Sequence, residues 1–166
     1  MLMSMPIDPL ISALRDELSQ YGEMLALLDQ QQETIVERRT DDLLHTTEAI
    51  NSQGDVVQEV RRQREERQRH LAREWRQPET TSLGVLTRVA PTEYRPLFEA
   101  LVRENNQLLF RIQQRVRQNQ LMLSQVIELS QRLINSLFPA NTPVYAESGG
   151  LRSTPSRSMA LYEAVG

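Results

Sequence analysis

From Leu97 to Phe138 the chain contains neither glycine nor proline, and apolar residues recur through it at helical spacing: Leu101, Leu108, Ile112, Val116, Leu123, Val126, Leu133 and Leu137. A helix of about 40 residues, rising 1.5 Å per residue, is a rod roughly 60 Å long. No compact globule built from 166 residues can enclose such a rod. It must lie along other rods, and part of its apolar surface is left for a partner. The expected fold is therefore all-α: an elongated antiparallel bundle of three long helices plus one short helix, with a flexible C-terminal tail.

The other rods are legible upstream. Asp8-Pro9 reads as an N-cap followed by proline at the first helical position. Leu10, Ile11, Leu14, Leu18, Tyr21, Leu25, Leu28 and Ile35 then fall in steps of three, four and seven along one helix face. Arg38 and Arg39 suit the negative end of that helix, and Thr40-Asp41-Asp42 reads as a new N-terminus with a cap and two acids. A second helix to about Arg76 would bury Leu43, Leu44, Thr47, Ile50, Val57, Val60 and Leu71. Continuation across Arg38–Asp42 is the competing reading, because neither glycine nor proline interrupts it. Leu83 to Val89 makes a short helix capped by Ser82. Ala90-Pro91 ends it, and Thr92 caps the last long helix, where Pro96 is tolerated in the first turn.

One helical domain over residues 8–138 is the expected organisation, followed by a tail over 139–166. That tail holds Pro143, Gly149, Gly150 and Pro155 among several serines and threonines, a composition that does not form a packed core. Met159-Ala160-Leu161-Tyr162 is its one apolar cluster.

Composition removes most chemistries. There is no cysteine, so disulfides, thiolate metal sites and cysteine nucleophiles are excluded. All nineteen basic residues are arginine, which removes Schiff-base and phosphate-loop lysines. His70 with Glu66 or Glu74 has the i,i+4 spacing of a helical metal pair but no third ligand. Asp41 and Asp42 diverge by about 100° on a helix and form no catalytic dyad. These gaps point away from an enzyme, a cofactor or a metal.

A net charge of -3 gives no drive toward nucleic acid. The seven arginines between Arg61 and Arg76 alternate with acids and lack interleaved aromatics. They read as a solvated helix face with Glu–Arg pairs at i,i+3 and i,i+4. No apolar run is long enough to span a membrane, and Met1 to Pro9 lacks the basic and apolar regions of a secretory signal. A cytoplasmic protein follows as the expectation.

Projecting the last helix at about 100° per residue places Leu101, Asn105, Leu108, Ile112, Val116, Asn119, Leu123, Val126, Ser130, Leu133 and Leu137 in one stripe. Phe98, Val102, Leu109, Ile127, Ile134 and Phe138 widen it. Phe110 and Leu121 lie on the opposite side, either as scattered surface hydrophobes or as a second contact surface. Asn105 and Asn119 interrupt the apolar stripe, as residues that fix register or partner choice do.

Several features together carry a family resemblance. They are the two-helix N-terminal half, the junction Arg38-Arg39-Thr40-Asp41-Asp42-Leu43, the short Leu83–Val89 element, and Asn119-Gln120-Leu121-Met122-Leu123 within the last helix. In their order and spacing, over most of residues 10 to 149, the chain resembles the FlgN family of flagellar export chaperones.

The resemblance implies that hook–filament junction proteins are bound in the cytoplasm. Their disordered terminal segments would be held as helices, kept from premature assembly and delivered to the flagellar type III export gate. It directs attention to the C-terminal helical half for client binding: Leu108, Phe110, Ile112, Val116, Asn119, Leu121, Leu123, Val126, Ile127 and Leu133. It also assigns gate docking to Tyr145 and Gly149, in Tyr145-Ala146-Glu147-Ser148-Gly149, where Ala146 stands in place of the family's glycine. Residues 151–166 fall outside it.

Spare apolar surface also allows weak self-association. The alternative reading is an oligomeric coiled-coil structural or adaptor protein. Interruptions at Gly54, Arg38–Asp42 and Pro78 argue against one continuous seam.

Overall fold

The computed structural model describes residues 5–138. Among them are four helices and no strand: α1 (Asp8–Val36), α2 (Thr40–Glu74), α3 (Leu83–Val89) and α4 (Arg95–Leu137). The chain divides into two compact units, Met1–Val116 and Arg117–Gly166. The tail expected over 139–166, with Tyr145 and Gly149, lies outside the described residues.

In the first unit α1 and α2 pair antiparallel. Gln31 Nε2 donates to Thr47 Oγ1 at 3.1 Å, and Gln53 Nε2 donates to Gln20 Oε1 at 2.8 Å. Arg64 Nε donates to Glu17 Oε2 at 2.9 Å. As the α1 number falls, the α2 number rises. α4 runs the other way, along α1: Asn105 Nδ2 donates to the Leu14 carbonyl at 3.1 Å, and Arg115 Nη1 donates to Gln32 Oε1 at 2.6 Å.

The core sits at one end of this arrangement. Ile7, Leu10, Ile11 and Leu14 meet Leu71 and Ala72 of α2, Leu86 and Ala90 of the α3 segment, and Phe98 and Leu101 of α4. α3 thus works as a plug, its short apolar face closing the cluster.

Helix ends show how the break at residues 36–40 is made. Arg39 N–H donates to Thr34 O and Arg38 N–H to Ile35 O, with Arg38 at φ 55°. This is a Schellman motif, with arginine in the left-handed position that glycine usually fills. α2 ends the same way: Gln77 N–H donates to Ala72 O, Arg76 N–H to Arg73 O, and Arg76 has φ 54°.

Three expected caps are displaced. Asp8 is the first helical residue after Ile7, and its carboxylate accepts the Met5 N–H. α2 starts at Thr40 after Arg39, without a side-chain cap. α4 starts at Arg95 and not beside Thr92, because a turn closed by Tyr94 N–H on Pro91 O comes first. Ser82 does cap α3, accepting the Val85 N–H.

The α2 face is narrower than expected. Val57 and Leu71 are buried, Leu43, Ile50 and Val60 are half-buried, and Leu44 and Thr47 are exposed. The solvated reading of the arginine-rich stretch holds for Arg62, paired with Glu59 at 2.9 Å and Glu66 at 3.3 Å. Hydrogen bonds from Arg62 and Gln63 hold the Glu59 carboxyl down to about 2.

It fails at Arg64, which is buried with Glu17 and Tyr21. Glu17 Oε2 accepts from Arg64 Nε, and Oε1 accepts from Arg64 Nη2 at 3.3 Å and from the Tyr21 hydroxyl at 2.6 Å. Arg64 Nη1 donates onward to Gln68, whose amide donates to the Thr81 carbonyl. The network ties α1, α2 and the loop before α3 together. Burial first, and then the neighbouring Glu17 carboxylate, push the Tyr21 phenol far above its ordinary 10.0.

Candidate partner-binding surface

Each residue expected to bind a client can now be placed. In the first unit Ile112 is buried, Leu108 and Val116 are half-buried, and Phe110 is exposed. In the second unit Asn119 is buried at 2% exposure and Leu123 is half-buried, while Leu121, Val126, Ile127 and Leu133 are exposed. Ile112 and Asn119 therefore offer little free surface. Tyr145 and Gly149 have no described position.

What α4 does display is an apolar surface at its end. Val126, Ile127, Leu129, Leu133, Ile134, Leu137 and Phe138 are all exposed, the last four at 60, 56, 64 and 62%. At about 100° per residue they cover roughly half the helix circumference. A monomeric soluble protein rarely leaves so many large apolar side chains together in water unless something else covers them.

Little within this stretch offsets them. Its charges from Ser124 on are Glu128 and Arg132, which approach each other at 3.9 Å. The Ser130 hydroxyl donates to the Val126 carbonyl and the Ser136 hydroxyl to the Leu133 carbonyl. Both serines satisfy themselves on their own helix and make no polar demand on a partner. Leu129 is the addition that projection onto a narrow stripe missed, since it lies at the edge of the apolar half. A wider window, admitting every large apolar residue within 90° of the stripe centre, finds it.

A second feature lies wholly within the first unit. Between α3 and α4 runs a groove of about 740 Å³, with Phe110 on its wall at 59% exposure. Phe110 and Leu121, expected to share one face, are both exposed, and they belong to different units.

The described residues hold no group of three or more His, Cys, Asp or Glu able to bind a metal. No described helix is long and apolar enough to cross a membrane.

Among known proteins, the family model FlgN, described as FlgN protein, matches residues 3–153 of the chain. No curated protein and no solved structure matches the chain.

Proposed function

Because this chain belongs to the FlgN family of flagellar export chaperones, we propose that it is a cytoplasmic escort for hook–filament junction proteins. It binds their disordered terminal segments by helix-in-groove packing, prevents premature assembly, and hands them to the type III export gate. The observation that carries the reading is the exposed apolar half-cylinder from Val126 to Phe138. A terminal segment that is disordered alone spends ordering entropy on binding. Anchors at i, i+3, i+4 and i+7 recover it, each buried leucine or phenylalanine contributing about 1.5–3 kcal/mol. Leu123 extends the contact toward the N-terminal side, and Leu121, exposed on the opposite side of the helix, supplies a separate contact. Gate docking is assigned to Tyr145 and Gly149.

The test is titration of a purified junction protein, or its terminal segment, into the full chain by calorimetry. Leu133→Asp with Ile134→Asp should weaken binding by more than tenfold while circular dichroism shows unchanged helicity. Both side chains are exposed, so folding does not depend on them. Wild-type affinity in this folded variant would move the client site elsewhere.

The stripe positions Val116, Asn119, Leu123, Val126, Ser130, Leu133 and Leu137, five of the seven apolar, also have the 3–4 alternation of a coiled-coil seam, which favours pairing with a copy of the chain as a second reading. Light scattering separates the two. The escort is a monomer or weak dimer that becomes a 1:1 complex with its client, whereas a tight oligomer indifferent to the client supports the structural role.

A further inference from the structure

We propose that the groove between α3 and α4 is a second docking site, for an acidic peptide segment of a partner protein carrying one large apolar anchor. It is separate from the 126–138 surface and does not rest on the escort reading, because every residue lining it belongs to the first unit.

Shape comes first. On the α4 side Glu99, Arg103, Asn106 and Phe110 lie at steps of four, three and four, a single helix face extending roughly 16 Å. That length matches about three turns of a bound helix and exceeds what a compact small molecule covers. On the α3 side Gly84 presents no side chain, and a Cβ placed there would meet only Ser82 Oγ, at 3.9 Å. The groove is open where α3 would otherwise crowd it. Its volume of about 740 Å³ falls in the range that buries a ligand of several side chains' bulk.

Charge then selects the occupant. Arg88, Arg103 and Arg111 border the groove, with Glu99 as its one acid. None of the three arginines has an ion-pair partner among the described residues. Of the other described arginines, Arg39, Arg61, Arg62, Arg64, Arg73, Arg115 and Arg132 each lie within 4.0 Å of a carboxylate, whereas Arg15, Arg38, Arg67, Arg69, Arg76, Arg95 and Arg117 do not; what sets the groove apart is that three such guanidinium groups border one cavity with an exposed aromatic ring. Glu99 precedes Arg103 by four residues, the spacing that ordinarily pairs on a helix, yet the two remain apart.

Three unpaired guanidinium groups around an exposed phenyl ring present donors to carboxylates and an apolar surface to one bulky side chain. A basic segment would be repelled, and a neutral apolar one would leave three arginines to be desolvated without partners. The complementary ligand is an acidic segment with a leucine, phenylalanine or similar anchor packed on Phe110.

The experiment selects binders to the full chain from a random 12-residue display library, then measures the selected peptides, fluorescein-labelled, by polarisation. Acidic sequences around one bulky apolar residue should emerge. Their affinity should fall at least tenfold in Phe110→Ser and in Arg103→Glu, and fall steeply between 50 and 500 mM salt. Leu133→Asp with Ile134→Asp should leave it unchanged, which separates this site from the client surface. Because Phe110 and Arg103 are exposed, both variants should melt like the wild type. Selection of neutral or basic sequences, binding indifferent to both groove substitutions, or no binders at all would overturn the proposal. So would a wild-type dimer that Phe110→Ser converts to monomer, since a second copy would then be the occupant.

Discussion

Replacing Arg64 with methionine should be among the most damaging single substitutions in this protein. The Glu17 and Arg64 side chains are 3% and 4% exposed. With the guanidinium gone, Glu17 Oε2 loses its only donor among the described contacts, and Oε1 keeps the Tyr21 hydroxyl. Two unit charges about 4 Å apart at an effective dielectric of about 20 attract by about 4 kcal/mol. Stranding one partner of a buried pair costs about 3–5 kcal/mol by comparison with other proteins. Against a total stability of about 5–15 kcal/mol, that lowers the melting temperature by on the order of 10 °C.

Urea unfolding followed at 222 nm should show a lower midpoint with an unchanged slope. The variant Glu17→Leu, Tyr21→Phe, Arg64→Met removes all three polar groups and should recover most of the loss, because an apolar replacement of a buried pair is often neutral or better. A loss below about 1 kcal/mol for Arg64→Met alone would match an exposed ion pair and refute the burial argument.

Tyr21 makes stability fall in alkali: its folded pKa is raised above the ordinary 10.0, so the phenol stays protonated in the fold, ionises once unfolded, and stability declines as pH rises past about 10. Tyr21→Phe should cost about 1–2 kcal/mol at neutral pH and flatten that decline, read from urea midpoints between pH 8 and 11. Arg38→Gly and Arg76→Gly, each relieving a left-handed backbone at φ 55° and 54°, should each raise stability by about 0.5–1 kcal/mol; a loss at either would mean the arginine side chain makes a compensating contact. Gly54→Ala places a Cβ with nothing within 4 Å inside α2 and should add up to about 1 kcal/mol by helix propensity, measurable as a rise in urea midpoint.

Local signals were legible and distant partners were not. Leu10, Leu14, Tyr21, Leu28 and Ile35 mark the buried face of α1 by spacing alone, and all are buried. Ser82 and the arginines at 38 and 39 mark helix ends through local backbone chemistry. Arg64 was misread because Glu and Gln neighbours at helical spacing supply a sufficient local explanation for any arginine there. Its true partner lies 47 residues away on another helix.

A usable signal was nevertheless present. Leu43, Ile50, Val57 and Leu71 are spaced by seven, seven and fourteen, and the missing step of that heptad is position 64. The same holds on α1, where Leu10, Leu14, Tyr21, Met24 and Leu28 leave position 17 for Glu17. Two opposite charges occupying the seam positions of paired helices are a readable pattern, but only once the pairing register is known.

These seam polar groups also explain why the helices do not slide. Helices patterned in steps of three and four can pack in registers one heptad apart with similar apolar burial. Glu17 against Arg64 fixes α1 to α2, because a shift of seven residues would bury two unpaired charges. Asn105 fixes α4 to α1: its amide donates to both Leu14 O and Leu101 O, and a slipped register would strand it against apolar side chains. The exposed half-cylinder from Val126 to Phe138 has no such device. Its one polar stripe residue, Ser130, is satisfied by its own helix, so a partner laid on it meets apolar surface alone. Packing inside the first unit is thereby held to one arrangement, while the exposed end of α4 carries no polar group that would select one register of a partner. Placing an asparagine at Leu133 should therefore cost binding without unfolding the protein, whereas Asn105→Leu should leave stability near or above wild type and loosen the α1–α4 register, seen as doubled or broadened amide resonances. A single sharp set of resonances in Asn105→Leu would show that the apolar side chains already suffice to set that register.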